Sequence, residues 1–90
     1  MRNKYAIVLL HPSPTVAERI RKHFPGSYEY TGTFFLVQGA IDDLASTIAT
    51  KVGLKGEARA PEASGVVFKL NHGYSGFTKP DLWDWLTSQE

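Results

Sequence analysis

The chain predicts an α+β domain built on one antiparallel four-stranded sheet, and three observations predict it. Tyr5–Leu10 and Thr33–Gln38 are continuous hydrophobic runs, the composition of strands covered on both faces. Two stretches, after Leu10 and after Gln38, carry apolar residues at helical spacing. Turn signals separate these segments and place them in the order β-α-β-β-α-β.

The first strand, Tyr5–Leu10, ends at His11-Pro12-Ser13-Pro14. Thr15 and Glu18 form a T-x-x-E capping box for the first helix. Its stripe is Val16, Ile20 and Phe24 with Ala17 beside them, and Pro25-Gly26 stops it. In Ser27–Thr31, Tyr28 and Tyr30 share one face and Glu29 the other. Thr31-Gly32 is a tight turn into Thr33–Gln38, so residues 27–38 read as a hairpin. Gly39 opens a second helix, with Asp42 and Asp43 in its first turn, where the helix dipole favours negative charge. Ile41, Leu44, Ile48 and Val52 form its buried stripe, and Gly53 closes it. Residues 54–64 are a loop and Val66–Leu70 is the fourth strand. A glycine-aromatic loop, residues 71–77, leads to a short helix over Thr78–Leu86 capped by Thr78 and Asp81.

This order is the ferredoxin-like split βαβ arrangement with an added C-terminal helix. Right-handed crossovers set the sheet order at 4-1-3-2. The two continuous apolar runs then lie in the centre, and the strands carrying Glu29 and Lys69 lie at the edges. Two helices cover only one face of such a sheet. The other face needs a cover, either the aromatic tail or a second subunit.

Ninety residues form a single domain, with a core over 5–70 and the aromatic loop and last helix over 71–90. The absence of cysteine excludes disulfides, thiolate metal sites and a cysteine nucleophile. Ala6–Leu10 is too short for a signal-peptide core, and no run approaches the roughly 20 apolar residues of a membrane span. The expectation is a cytoplasmic chain that binds no membrane. The net charge is +1, but Arg2, Lys4, Arg19, Arg21 and Lys22 concentrate near the first helix.

The layout Tyr5–Leu10, helix, Tyr28–Thr31, Thr33–Val37, helix resembles small ferredoxin-like proteins related to CRISPR adaptation endoribonuclease subunits and to SinR- and VapD-like proteins. The resemblance covers residues 5–70 and is one of pattern. It implies dimers formed through sheet faces or edges, and in some members a metal-dependent nuclease. The aspartate characteristic of that group ends the first strand. Leu10-His11-Pro12 stands there in this chain, which speaks against catalysis.

No residue set converges on a reaction. His11 and His72 fall at opposite ends of the sheet, about 20 Å apart at 3.3 Å per residue. Asp42 and Asp43 are adjacent and diverge on a helix, and neither Ser13 nor Ser75 has nucleophile-elbow spacing. The residue types therefore imply no catalytic group, metal or cofactor. Binding is the remaining chemistry. Tyr74, Phe77, Trp83 and Trp85 are the candidate partner contacts, with Trp83 turned toward the sheet and Trp85 toward the opposite side of its helix. The expected function is a non-enzymatic accessory or inhibitory module, of phage or mobile-element type, that forms a homodimer and binds another protein. The alternative is a nucleic-acid-binding protein or degenerate endoribonuclease-like subunit. It would use Arg2, Lys4, Arg19, Arg21 and Lys22 with Tyr28 and Tyr30 as a stacking platform.

Overall fold

The structure is a computed structural model that describes residues 3–40, 43–57, 59–70 and 80–87. Its elements are β1 (Asn3–Leu9), α1 (Pro14–His23), β2 (Tyr28–Thr31), β3 (Phe34–Gly39), α2 (Ala45–Val52), β4 (Gly65–Leu70) and α3 (Pro80–Thr87). The four strands form one sheet in the order β2-β3-β1-β4, and every neighbouring pair is antiparallel. The two apolar runs thus sit in the middle and the strands bearing Glu29 and Lys69 at the edges.

The two faces of the sheet carry separate clusters. On one, Tyr5, Ile7, Leu9, Phe35 and Val37 pack against Val16, Ala17, Ile20 and Phe24 of α1 and its C-cap and against Ile48 and Val52 of α2. On the other, Ala6 and Leu36 pack against Leu82 and Leu86 of α3. The period-two alternation of β1 explains the division: odd residues face α1 and α2, and Ala6 faces α3.

Several boundaries differ from expectation, each for a local reason. Ser13, not Thr15, caps α1, and its Oγ accepts from the Val16 N–H at 3.3 Å. Pro14 lacks an N–H and holds a helical φ, so it suits the first helical position and draws the start forward. Thr15 and Glu18 therefore lie inside the helix. α2 begins at Ala45 rather than near Gly39, which belongs to β3. Asp43 is not in the first turn of α2. Its carboxylate accepts from the Ala40 N–H at 2.9 Å, and this local turn competes with helix. Leu44 is the extended N-cap and is exposed, not part of the buried stripe. Ile41 and Asp42 lie outside the described residues. Gly53 does end α2, at a φ of 90° that favours glycine. β1 starts at Asn3 and stops at Leu9, leaving Leu10 exposed.

Candidate interaction surface

The second sheet face is where polar and apolar groups remain available, and α3 determines how much of it is open. Lys4 and Trp85 are among the residues that hold this helix. Lys4 Nζ donates to the Leu86 carbonyl, satisfying one of the free carbonyls at the helix end. Trp85 Nε1 donates to the Gly26 carbonyl at 2.9 Å. Lys4 Nζ also lies 5.6 Å from the centre of the Trp85 ring, in cation–π range. Tyr28, Tyr30, Phe34, Leu70 and Trp85 pack around the Ala6–Leu36–Leu82–Leu86 cluster.

The helix leaves a part of the face uncovered. Val8 is 40% exposed, Val66 54% and Phe68 52%. The register makes them neighbours: Val8 faces Val66 across the β1–β4 ladder, and Phe68 faces Ala6. Val8 also faces Phe34 on its other side. These side chains form one apolar strip running from the centre of the sheet to its β4 edge. The alternation of Val66 and Phe68 in strand four was its signal in the sequence.

Among the described residues, Lys4 does not join the basic residues of α1. Lys4 is buried on the α3 side of the sheet, whereas Arg19, Arg21 and Lys22 are on α1, which packs on the opposite face. Lys4 is thus a structural tether rather than a surface cation. Arg21 is paired with Glu29 at 3.0 Å, both side chains substantially exposed. Tyr28 and Tyr30 have ring centres 6.4 Å apart, tilted by 32°, and Tyr30 sets its ring edge-on to Phe34 at 5.7 Å. The two tyrosines are half-buried within the α3 cluster and do not form an open stacking platform.

Trp85 differs from expectation too. It is half-buried against the sheet cluster, because its indole N–H finds the Gly26 carbonyl at the end of the α1–β2 connection. The side chain of Trp83, and Arg2, Tyr74 and Phe77, lie outside the described residues.

Little else suggests chemistry. Among the described residues no three His, Cys, Asp or Glu side chains gather as a metal site. A shallow hollow of about 380 Å³ is lined by Pro12, Ser13, Pro14, Ala17, Glu18, Arg21 and Gly32. Its hydroxyl is engaged, since Ser13 Oγ donates to Glu62 at 3.0 Å while capping α1. The Glu62 carboxyl is held below its ordinary range by a backbone hydrogen bond and by Ser13. Burial raises the Tyr5 phenol above its ordinary value, with its hydroxyl donating to the Asp43 carbonyl at 2.5 Å. No described helix is long and apolar enough to cross a membrane.

No protein-family model, curated protein or solved structure matches this chain.

Proposed function

We propose that this chain is a small non-enzymatic interaction protein of ferredoxin-like architecture that works as a homodimer and engages another protein. The observation that carries the reading is the Val8–Val66–Phe68 strip. Apolar side chains this exposed and contiguous on a small domain mark an association surface. A second copy supplies a matching apolar surface by symmetry, so self-association can bring the exposed Val66 and Phe68 of the two copies into contact. The described polar groups support binding rather than catalysis: the best-placed hydroxyl, carboxylate and ammonium are committed to Ser13–Glu62 and Lys4–Leu86 contacts within the fold.

Light scattering at micromolar concentration tests the reading. The expected species has twice the 10.0 kDa mass of the chain. A single 10 kDa species overturns it. A gel-shift series at rising salt tests the nucleic-acid alternative, which predicts binding that weakens steeply as phosphate contacts are screened. Division of the cationic residues between two faces argues for no shift. Incubation of RNA or DNA with magnesium or manganese should leave the strand uncut.

A further inference from the structure

We propose that the homodimer forms edge to edge through β4, in one register centred on Val67, so that the two sheets join into one of eight strands. The inference rests on the homodimer reading above and specifies its geometry. β4 pairs only with β1, so its outer edge is a row of backbone groups with no strand beside it among the described residues. Which residues face that edge follows from two hydrogen bonds. The Leu10 N–H donates to the Ser64 carbonyl at 2.8 Å, and the Leu9 N–H donates to the Thr33 carbonyl at 2.8 Å. Antiparallel bonding alternates along a strand. Even residues of β1 therefore bond toward β4, and odd residues toward β3. Carried through the Val8–Val66 and Ala6–Phe68 pairs, this leaves Val66, Phe68 and Leu70 bonded to β1. Gly65, Val67 and Lys69 turn their N–H and C=O groups outward.

A second copy meets these groups best about a two-fold axis at Val67. Val67 then exchanges both hydrogen bonds with Val67 of the partner subunit. Gly65 does the same with Lys69 of the partner subunit, and Lys69 with Gly65 of the partner subunit. The result is about six hydrogen bonds, two for each facing pair. Centring the axis on Val66 or Phe68 leaves Lys69 or Gly65 unpaired within the strand. Centring it on Lys69 places two ammonium groups opposite each other, which destabilises a sheet. Only the Val67 register uses every outward group and keeps the lysines apart.

The side chains agree with the backbone. In this register Val66 lies opposite Phe68 of the partner subunit in a non-hydrogen-bonded pair, where side chains approach most closely. Both residues are more than half exposed in the single chain, and both lie on the face that α3 leaves open. The apolar strip thus continues from Val8 across the joint into its symmetric copy. β4 also lacks the usual guards of an edge. It has no proline, its ladder with β1 is continuous, and Lys69 is its single charge.

Crosslinking tests the register, because the chain has no cysteine of its own. Val66→Cys and Phe68→Cys proteins are mixed, oxidised and mapped by peptide mass. The Val67 register places the two thiols about 4.5 Å apart at Cα, within disulfide reach. The expected product is the mixed 66–68 disulfide, several-fold over either homodisulfide. A dominant 68–68 or 66–66 disulfide, or no crosslink in a sample that scatters as a dimer, overturns the register. Val67→Pro adds a second measurement. It removes an outward N–H and leaves the β1–β4 ladder intact, so a folded monomer is expected, while Val8→Lys at the centre of the face remains dimeric. The reverse pair of results keeps the homodimer but makes it face to face, and overturns edge pairing. A monomeric wild type overturns the homodimer itself.

Discussion

Tyr5 shows how one side chain can make stability depend on pH. It is fully buried, and its hydroxyl reaches the backbone of Asp43 just before α2. Its phenol is raised above 10.0, chiefly by burial. The folded state therefore favours the neutral form. Stability from this group is complete below the unfolded value near 10 and is lost as the pH climbs through the folded value. Urea melts of wild type should weaken from about pH 10 upward. Tyr5→Phe should cost about 1 kcal/mol at neutral pH for the lost hydrogen bond and flatten that alkaline limb. Glu62 has the opposite sign. Its carboxyl is lowered, so its contribution holds above its unfolded value of 4.5 and disappears as the pH falls through the folded one. Melts in acid should show a smaller loss for Glu62→Gln than for wild type. Ser13→Ala removes both the cap and the Glu62 contact and should cost about 1 kcal/mol. The cap was misplaced in the sequence because T-x-x-E fits the pattern as well as S-P does. Two prolines around Ser13 decide the matter, through the missing N–H and the fixed φ of Pro14.

Among the elements, the strands were legible and the helix ends were not. β1 and β3 announced themselves by the apolar runs Tyr5–Leu9 and Phe34–Val37, most of whose residues are buried. α2 was drawn too early because Asp42-Asp43 resembles a first turn, whereas the Asp43 carboxylate accepts from the Ala40 N–H ahead of the helix. The orientation of α3 was out of reach. Leu82 and Leu86 are buried on its inner side, but Trp85 is drawn in by a carbonyl supplied by Gly26, far away in the chain. Eight residues do not hold a helix in water, so α3 depends on this docking. Both tryptophans of the chain lie within it, so indole fluorescence reports on α3 alone. Lys4→Met leaves the Leu86 carbonyl without this ammonium donor and should cost about 1.5–3 kcal/mol of docking. The expected sign is a red-shifted emission at denaturant concentrations where far-ultraviolet circular dichroism still shows a folded sheet. Leu86→Ala should do the same. Simultaneous loss of both signals in either variant would mean that α3 is integral to the core rather than docked on it.

At the scale of the molecule, charge and shape argue the same way about association. The net charge is +1, and the proposed joint is made of backbone hydrogen bonds and Val66–Phe68 contacts. Screening has little to act on there. Raising sodium chloride from about 0.1 M to about 0.5 M should leave the dimer dissociation constant unchanged within about two-fold, as read by sedimentation. Phe68→Glu, by contrast, should shift the equilibrium to monomer by at least tenfold, because it sets a carboxylate into an apolar pair. The overall sheet was legible from element order and composition, since right-handed crossovers leave few arrangements. The split between covered and open parts of the second face was not, because it depends on where α3 lands.

The sheet order carries a further consequence, for the birth of the chain. β1 is made first, yet Lys4 pairs with Leu70 on one side and with Gln38 on the other. β3 reaches this strand once residue 39 has been made, but its β4 side stays open until residue 70 has been. Such long-range closure slows folding, and it leaves Tyr5–Leu9, an apolar stretch without charge or proline, open to neighbouring chains in the meantime. Yield from rapid overexpression should thus be limited by what nascent chains meet before β4 arrives, and lower temperature or slower synthesis should raise the soluble fraction.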